Sequence, residues 1–258
     1  MNNFVTLFKK EFFLFFTSPV AYAIITIFML MAGFFFYNIF AYYSVVSQQI
    51  AMQGIVSGSG GINVTEGILI PFHMNISVVV LLLIPLITMR SFSEEKKNGT
   101  FELLMTYPIK DYEVVLGKFF AAFAFYGVLI TLTLIYPLIV SVYASIELPV
   151  LISSLLGLLL MGAAFIAVGI LISSLTENQI IAGGLTFGVC LIFWLLGWME
   201  TEASPEIGTV LKHLSLIEHF QNFSKGTINT KDIVYYFDFI ILMLFLTLRN
   251  LDSNKWRG

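Results

Sequence analysis

The chain has 258 residues, 58% of them hydrophobic and only 11% charged, with 16 acidic against 13 basic side chains. A mean hydropathy of +0.91 excludes an ordinary soluble domain and indicates an all-α polytopic membrane protein. The net charge of −3 says little about partners, since in a bilayer protein the location of charges matters more than their sum, and nucleic acid is not an expected ligand. The single cysteine, Cys190, excludes an intrachain disulfide and a cysteine-based metal cage.

The opening "MNNFVTLFKKEFFLFFTSP" places Phe4, Val5, Phe8, Phe12 and Phe15 on one helical face and Thr6, Lys9, Lys10 and Thr17 opposite. Residues 1–18 are therefore expected to lie as an amphipathic helix along the membrane surface. A helix crossing about 30 Å of hydrocarbon needs about 20 apolar residues, because its backbone must satisfy its own hydrogen bonds there. Six segments qualify: residues 20–43, 70–89, 119–143, 151–175, 179–199 and 233–248. The first is too long for the core of a cleaved signal peptide and lacks an A-x-A-like exit, so it is expected to be retained. After it, "SVVSQQIAMQGIVSGSGGINVTEG" is Gly/Ser-rich and nearly uncharged, which reads as a mobile outer loop.

Span two ends in "PLITMR", where Pro85 is placed to bend the helix and Arg90 to reach the inner headgroups. Ser91-x-x-Glu94 offers a capping box, and Asn98-Gly99-Thr100 supplies a sharp reversal. Thr100 is placed to cap a short helix, "FELLMTY", that must stop before Pro108. Asp111 is expected to cap the helix that becomes span three. The short helix carries Phe101, Leu103, Leu104, Met105 and Tyr107. This spacing is compatible both with docking into a partner's groove and with packing on the bilayer surface.

Spans four and five form a hairpin turned at Thr176 to Asn178. Gly184 and Gly188, with Ala163 and Ala167 one span earlier, allow close helix approach. Within residues 200–232, Ile207, Val210, Leu211, Leu214 and Ile217 recur at helical spacing, predicting a helix that lies in or re-enters the outer leaflet.

Ten of the 13 basic residues fall on one side of these spans: Lys9 and Lys10; Arg90, Lys96, Lys97, Lys110 and Lys118; Arg249, Lys255 and Arg257. Both termini and residues 90–118 are therefore expected in the cytoplasm. Lys212, Lys225 and Lys231 remain outside, diluted by Glu200, Glu202, Glu206 and Glu218.

The stretch "PLITMRSFSEEKKNGTFELLMTYPI", followed by "VVLGKFFAAFAF", resembles the ABC-2 type permeases, the membrane subunits of ATP-binding-cassette transporters. The opening "FKKEFFLFFTSPVAYAIITIFMLMAGFFF" and the closing "HFQNFSKGTINTKDIVYYFDFIILMLFLTLRNLDSNKW" are similar to the branch of gliding-motility-associated and copper-enzyme-maturation permeases. The resemblance implies that residues 90–118 hold a coupling helix seated in a separate cytoplasmic ATPase. Its partner-binding residues would be Glu95, Gly99, Thr100, Phe101, Glu102, Leu103, Leu104, Met105, Tyr107 and Pro108. It further implies two six-span subunits, this chain paired with a second copy or a paralogue, with two ATPases that carry the ATP and Mg. A re-entrant outer element within residues 202–231 and a bacterial inner-membrane location follow from the same likeness. Cofactor and metal are expected to be absent from this chain. Membrane lipids and outer envelope proteins are the further partners it admits.

No P-loop accompanies these features: Gly117-Lys118 is followed by Phe119, and Tyr112 stands where the first glycine belongs. Export fits better than import, since no part of the chain resembles a docking surface for a periplasmic binding protein. Two other classes compete. A membrane-embedded enzyme would have to use His73, His213 or His219, but none forms an H-E-x-x-H pair or adjoins a G-x-S-x-G turn. A metal site from His213, His219 and Glu218 fits helical spacing poorly, so these histidines read as exposed and without a role. A secondary transporter or channel would need paired charges at mid-membrane and internal repeats, and only Asp238, in span six, answers to the first. That carboxyl is a functional candidate, with snorkelling to the outer headgroups as the alternative.

Overall fold

The computed structural model describes residues 3–52, 63–102, 109–197 and 205–255, and no strand occurs among them. The helices are α1 (Asn3–Thr17), α2 (Pro19–Met52), α3 (Ile70–Thr88), α4 (Ser93–Lys97), α5 (Asp111–Thr133), α6 (Ile135–Ser141), α7 (Leu148–Leu175), α8 (Gln179–Leu195), α9 (Pro205–Leu214), α10 (Leu216–Ser224) and α11 (Thr230–Lys255). Four apolar stretches are long enough to cross a membrane: Pro19–Ile50, Thr65–Lys97, Asp111–Ser141 and Leu148–Leu175. They contain the first, second and fourth predicted segments, and the third up to Ser141, two residues short of its predicted end at 143. The 17 residues of α8 span about 26 Å, and the 26 of α11 about 39 Å.

The apolar α7 is the central helix, packed against α3, α5, α8, α10 and α11. Within its most apolar window 72% of residues are buried, against 22% for α2, which therefore lies at the edge. Small residues set the close contacts of α7. A Cβ at Gly157 would overlap Phe223, one at Gly162 would overlap Tyr126, and one at Gly169 would overlap Thr88. The hydroxyl of Tyr126 donates to the Leu158 carbonyl at 2.7 Å. Gly184 and Gly188, expected to allow close helix approach either within the subunit or across a dimer, have nothing of this chain within 4 Å of a Cβ built on them. Their side of α8 faces away from the chain's own helices, while Ala163 and Ala167 are buried as expected.

Other departures have local causes. The second helix runs nine residues beyond the expected end at 43, to Met52, because no Gly or Pro interrupts residues 44–52; of the predicted outer loop, residues 53–62 lie outside the described residues. The third span changes helix at Leu134, since Pro137 cannot donate to the carbonyl of Thr133. A π-helical turn, Thr65–Leu69, precedes α3, where Pro71 likewise withholds an N–H from Gly67. This end of α3 is stapled to the start of α7: Asn63 Nδ2 donates to Glu147 Oε1 at 2.6 Å and the Glu147 N–H to Thr65 Oγ1 at 3.4 Å.

The amphipathic α1 packs on α5. Leu7 is buried against Gly117, Phe15 stacks on Phe125 at 4.9 Å, and Phe4 meets Phe120 edge-on at 6.0 Å. Val5 of the expected apolar face is exposed, as are Phe13 and Leu14, which lie outside that face. On the far side of the molecule, the single helix expected around 207–217 is two helices broken at Ser215, whose hydroxyl accepts from the Glu218 N–H at 3.5 Å. Leu216, Ile217, Phe220 and Phe223 of α10 are buried, while Val210 and Leu214 of α9 are exposed.

Candidate functional site

The charged residues after α3 form a tight, anchored reversal. Helix α4 starts at Ser93 with its N-terminal N–H groups bonded across the molecule: Phe92 N–H and Ser93 N–H donate to Ser173 Oγ at 2.9 and 3.1 Å, and Ser173 Oγ–H donates to the Met89 carbonyl at 3.2 Å. The expected Ser91/Glu94 capping box is absent: the helix starts at Ser93, and the Ser91 N–H donates to the Thr88 carbonyl at 3.0 Å. The chain then reverses at Gly99, whose φ of +68° lies in the left-handed region that glycine reaches without a Cβ clash. Helical geometry resumes at Thr100, whose hydroxyl donates to the Glu95 carbonyl at 3.3 Å. At the return, Asp111 is the first residue of α5, not its cap: Lys110 precedes the helix and its N–H donates to Glu113 Oε2 at 3.1 Å.

Beneath the reversal lies a buried ion cluster. Lys118, 4% exposed, donates from Nζ to Glu95 Oε1 at 2.8 Å and to Glu11 Oε1 at 3.1 Å, and sits 5.1 Å from the ring centre of the fully buried Phe92. Phe101 packs edge-on against Phe92 at 6.3 Å, with Lys96 Nζ 5.2 Å from its ring centre. That ammonium also donates to the Ser174 carbonyl at 2.6 Å, which accepts from Asn250 Nδ2 at 2.9 Å as well. Helices α1, α4, α5, α7 and α11 thus meet in one polar network. In a dry setting, such bonds are strong and the loss of any partner is costly.

Of the sequence-predicted partner-binding residues, Glu95 and Phe101 belong to this root, Gly99 makes the reversal, and Thr100 and Glu102 are exposed. Leu103, Leu104, Met105, Tyr107 and Pro108 lie outside the described residues. Lys118, Glu11, Ser173 and Asn250 were not singled out from sequence. A lysine inside the apolar run "VVLGKFFAAF" was the one available signal, since a charge there has to find a partner. Asp238 is an exposed residue of α11, eight residues or about 12 Å along it, with no hydrogen-bond or ion-pair partner among the described residues.

The histidines are placed differently from expectation. His73 is buried in α3, its Nδ1–H donating to the Leu69 carbonyl at 2.8 Å and its Nε2 unpartnered. His219 is largely buried. Its Nδ1 bonds Asp232 Oδ1 at 2.6 Å, its Nε2 faces the His213 carbonyl at 3.2 Å, and Tyr235 stacks on its ring at 4.0 Å. Asn222 and Asn229 donate to the other Asp232 oxygen at 2.9 and 3.3 Å. An Asp–His pair can serve a nucleophile only through a free Nε2, and here a backbone oxygen occupies it. The cluster instead ties α10 to the start of α11. The ring of His213 is exposed and Glu218 lies 4.0 Å from Lys212, so the three residues of the weighed metal site do not converge.

A chain that is helical throughout its described residues, with several membrane-length apolar helices, defines a multi-pass membrane protein. The family model described as "ABC-2 family transporter protein" matches residues 5–248, and the chain belongs to that family. Membership fits a permease subunit of an ABC transporter, a non-enzymatic membrane component that works with an ABC ATPase. No individual curated protein matches the sequence significantly.

Proposed function

We propose that this chain is the permease of an ABC exporter in a bacterial inner membrane, and that residues 90–118 couple it to a separate cytoplasmic ATPase carrying ATP and Mg. Helices α8 and α11 complete six spans in this reading, with both termini cytoplasmic, as the distribution of basic residues favours. The helix pair α9–α10 forms a re-entrant outer element. Two such subunits, identical copies or paralogues, pair with two ATPases, and the unpartnered face of α11 at Asp238 is turned to water or to the second subunit.

The observation that carries the reading is the anchorage of the reversal. Glu95, Lys96, Phe92 and Phe101 are tied to α1, α5, α7 and α11, so displacement of the short helix by the ATPase would tilt whole spans. A loop merely resting on the bilayer has no use for a buried Lys118 bridging two carboxylates, because such a network is costly to assemble. The similarity of the opening and closing segments supports the gliding-motility and copper-enzyme-maturation branch.

Affinity purification of the tagged chain from its own membranes tests the reading, with Leu103→Glu/Leu104→Glu as the control. Recovery of an ABC ATPase with the wild type and its loss with the variant supports coupling. Equal recovery by both removes the role given to this helix.

A further inference from the structure

A cavity of about 570 Å³ opens beside the ion cluster, between α1, the first turns of α2 and the end of α3. This falls within the roughly 300–1,000 Å³ of small-molecule sites. One wall is apolar, formed by Leu14, Val20, Ile24 and Leu86; the other carries Arg90, Glu94 and Glu95. The apolar wall belongs to α1 and the ends of two membrane-length helices, and the polar wall to the charged turn beyond them. The lining therefore passes from apolar to charged, in the order of a phospholipid's chains and headgroup.

The polar wall holds three unused groups. Arg90 makes no hydrogen bond or ion pair among the described residues, and its Nε is fully buried without a partner. The second carboxylate oxygen of Glu95, Oε2, is buried and unpartnered while Oε1 binds Lys118. Glu94, half-buried beside them, has no side-chain partner among the described residues. A buried donor and a buried acceptor left open in one wall call for a ligand that supplies both complements. The signs agree: Lys10, Arg90 and Lys118 are balanced by Glu11, Glu94 and Glu95. A purely anionic ligand would satisfy Arg90 and be repelled by the carboxylates.

We propose that this cavity binds an inner-leaflet phospholipid with a primary-amine zwitterionic headgroup, the phosphatidylethanolamine class. The phosphate accepts from Arg90, the ammonium donates to Glu94 and Glu95 Oε2, and the chains lie over Leu14, Val20, Ile24 and Leu86. A quaternary choline headgroup carries the same charges but has no N–H to give, so it leaves Glu95 Oε2 unmet. The inference does not depend on ATPase coupling.

The test is titration of the purified full-length chain in detergent, followed by native mass spectrometry, with phosphatidylethanolamine, phosphatidylcholine and phosphatidylglycerol of identical chains. Wild type is expected to bind the ethanolamine lipid tightest. Arg90→Gln is expected to weaken it about tenfold or more, the loss of a charge-assisted hydrogen bond. Glu94→Gln, which touches no ion pair, is expected to narrow the preference over choline lipid without lowering choline-lipid binding. Equal binding of the ethanolamine and choline lipids by wild type overturns the proposal, as does unchanged binding by Arg90→Gln. Glycerophosphoethanolamine, the headgroup without chains, is expected to compete poorly; competition equal to that of the lipid would assign the site to a soluble zwitterion instead.

Discussion

Replacing Lys118 by methionine keeps most of the side chain's length and removes only its charge and donors. The two carboxylates it bridges, 3.1 and 2.8 Å away, have side-chain exposures of 14% and 19%, so water reaches them poorly once the ammonium is gone. Removing one partner of a buried ion pair costs roughly 3–5 kcal/mol, and the residual exposure of both glutamates points to the lower end, about 3 kcal/mol. At about 2–4 °C per kcal/mol for a chain of this size, Lys118→Met is expected to melt about 6–12 °C below wild type. Thermal unfolding of the detergent-purified protein, followed by tryptophan fluorescence or by loss of the monodisperse peak, reads this directly. Adding Glu11→Gln and Glu95→Gln to Lys118→Met removes the stranded charges and is expected to restore at least half of the loss. If Lys118→Met melts within about 1 °C of wild type, or if the triple variant is worse than the single one, the ion cluster does not root the reversal.

Three further outcomes follow from the contacts. Ser173→Ala strands the N–H groups of Phe92 and Ser93 and is expected to cost about 1–3 kcal/mol, with faster amide exchange confined to residues 89–97. Gly169→Val forces a branched side chain into Thr88 of α3 and is expected to destabilise by about 1–3 kcal/mol, whereas Gly184→Val on the open side of α8 is expected to leave the melting temperature of the monomer unchanged. Asp232→Asn sets an amide N–H₂ either against the His219 donor or against those of Asn222 and Asn229, at a cost of about 1–3 kcal/mol, and limited proteolysis should then cut faster near Gly226, where α10 turns toward α11.

The sequence was informative wherever the cause of structure is local. Hydropathy located the first four membrane-length stretches, Gly99 announced the reversal, and Asn178 announced the start of α8, where its side chain accepts from the Ile180 and Ile181 N–H groups at 2.9 and 3.4 Å. It misled wherever a local rule had a distant competitor. Ser91 and Glu94 have the spacing of a capping box, but the Ser91 N–H is taken by the Thr88 carbonyl and the Phe92 and Ser93 N–H groups by Ser173, about 80 positions away. The partners of Lys118 are 107 and 23 positions distant in the chain, and no periodicity connects them. The same holds for His219 and Asp232: two residues read as loop decoration, or not noticed, become a clasp only when α10 folds back onto α11. Small residues were read for their presence alone, and the packing shows that Gly157, Gly162 and Gly169 face bulky neighbours while Gly184 and Gly188 face none.

The central claim is that the inner-face reversal is gripped by an ATPase. A photo-crosslinking amino acid at Glu102, exposed and one residue past the anchored Phe101, tests it in living cells. Irradiation is expected to yield a single dominant adduct with an ABC ATPase, lost on adding Leu103→Glu/Leu104→Glu. Adducts only with lipid, or labelling of position 102 by a reagent confined to the outer side of the membrane, would contradict it.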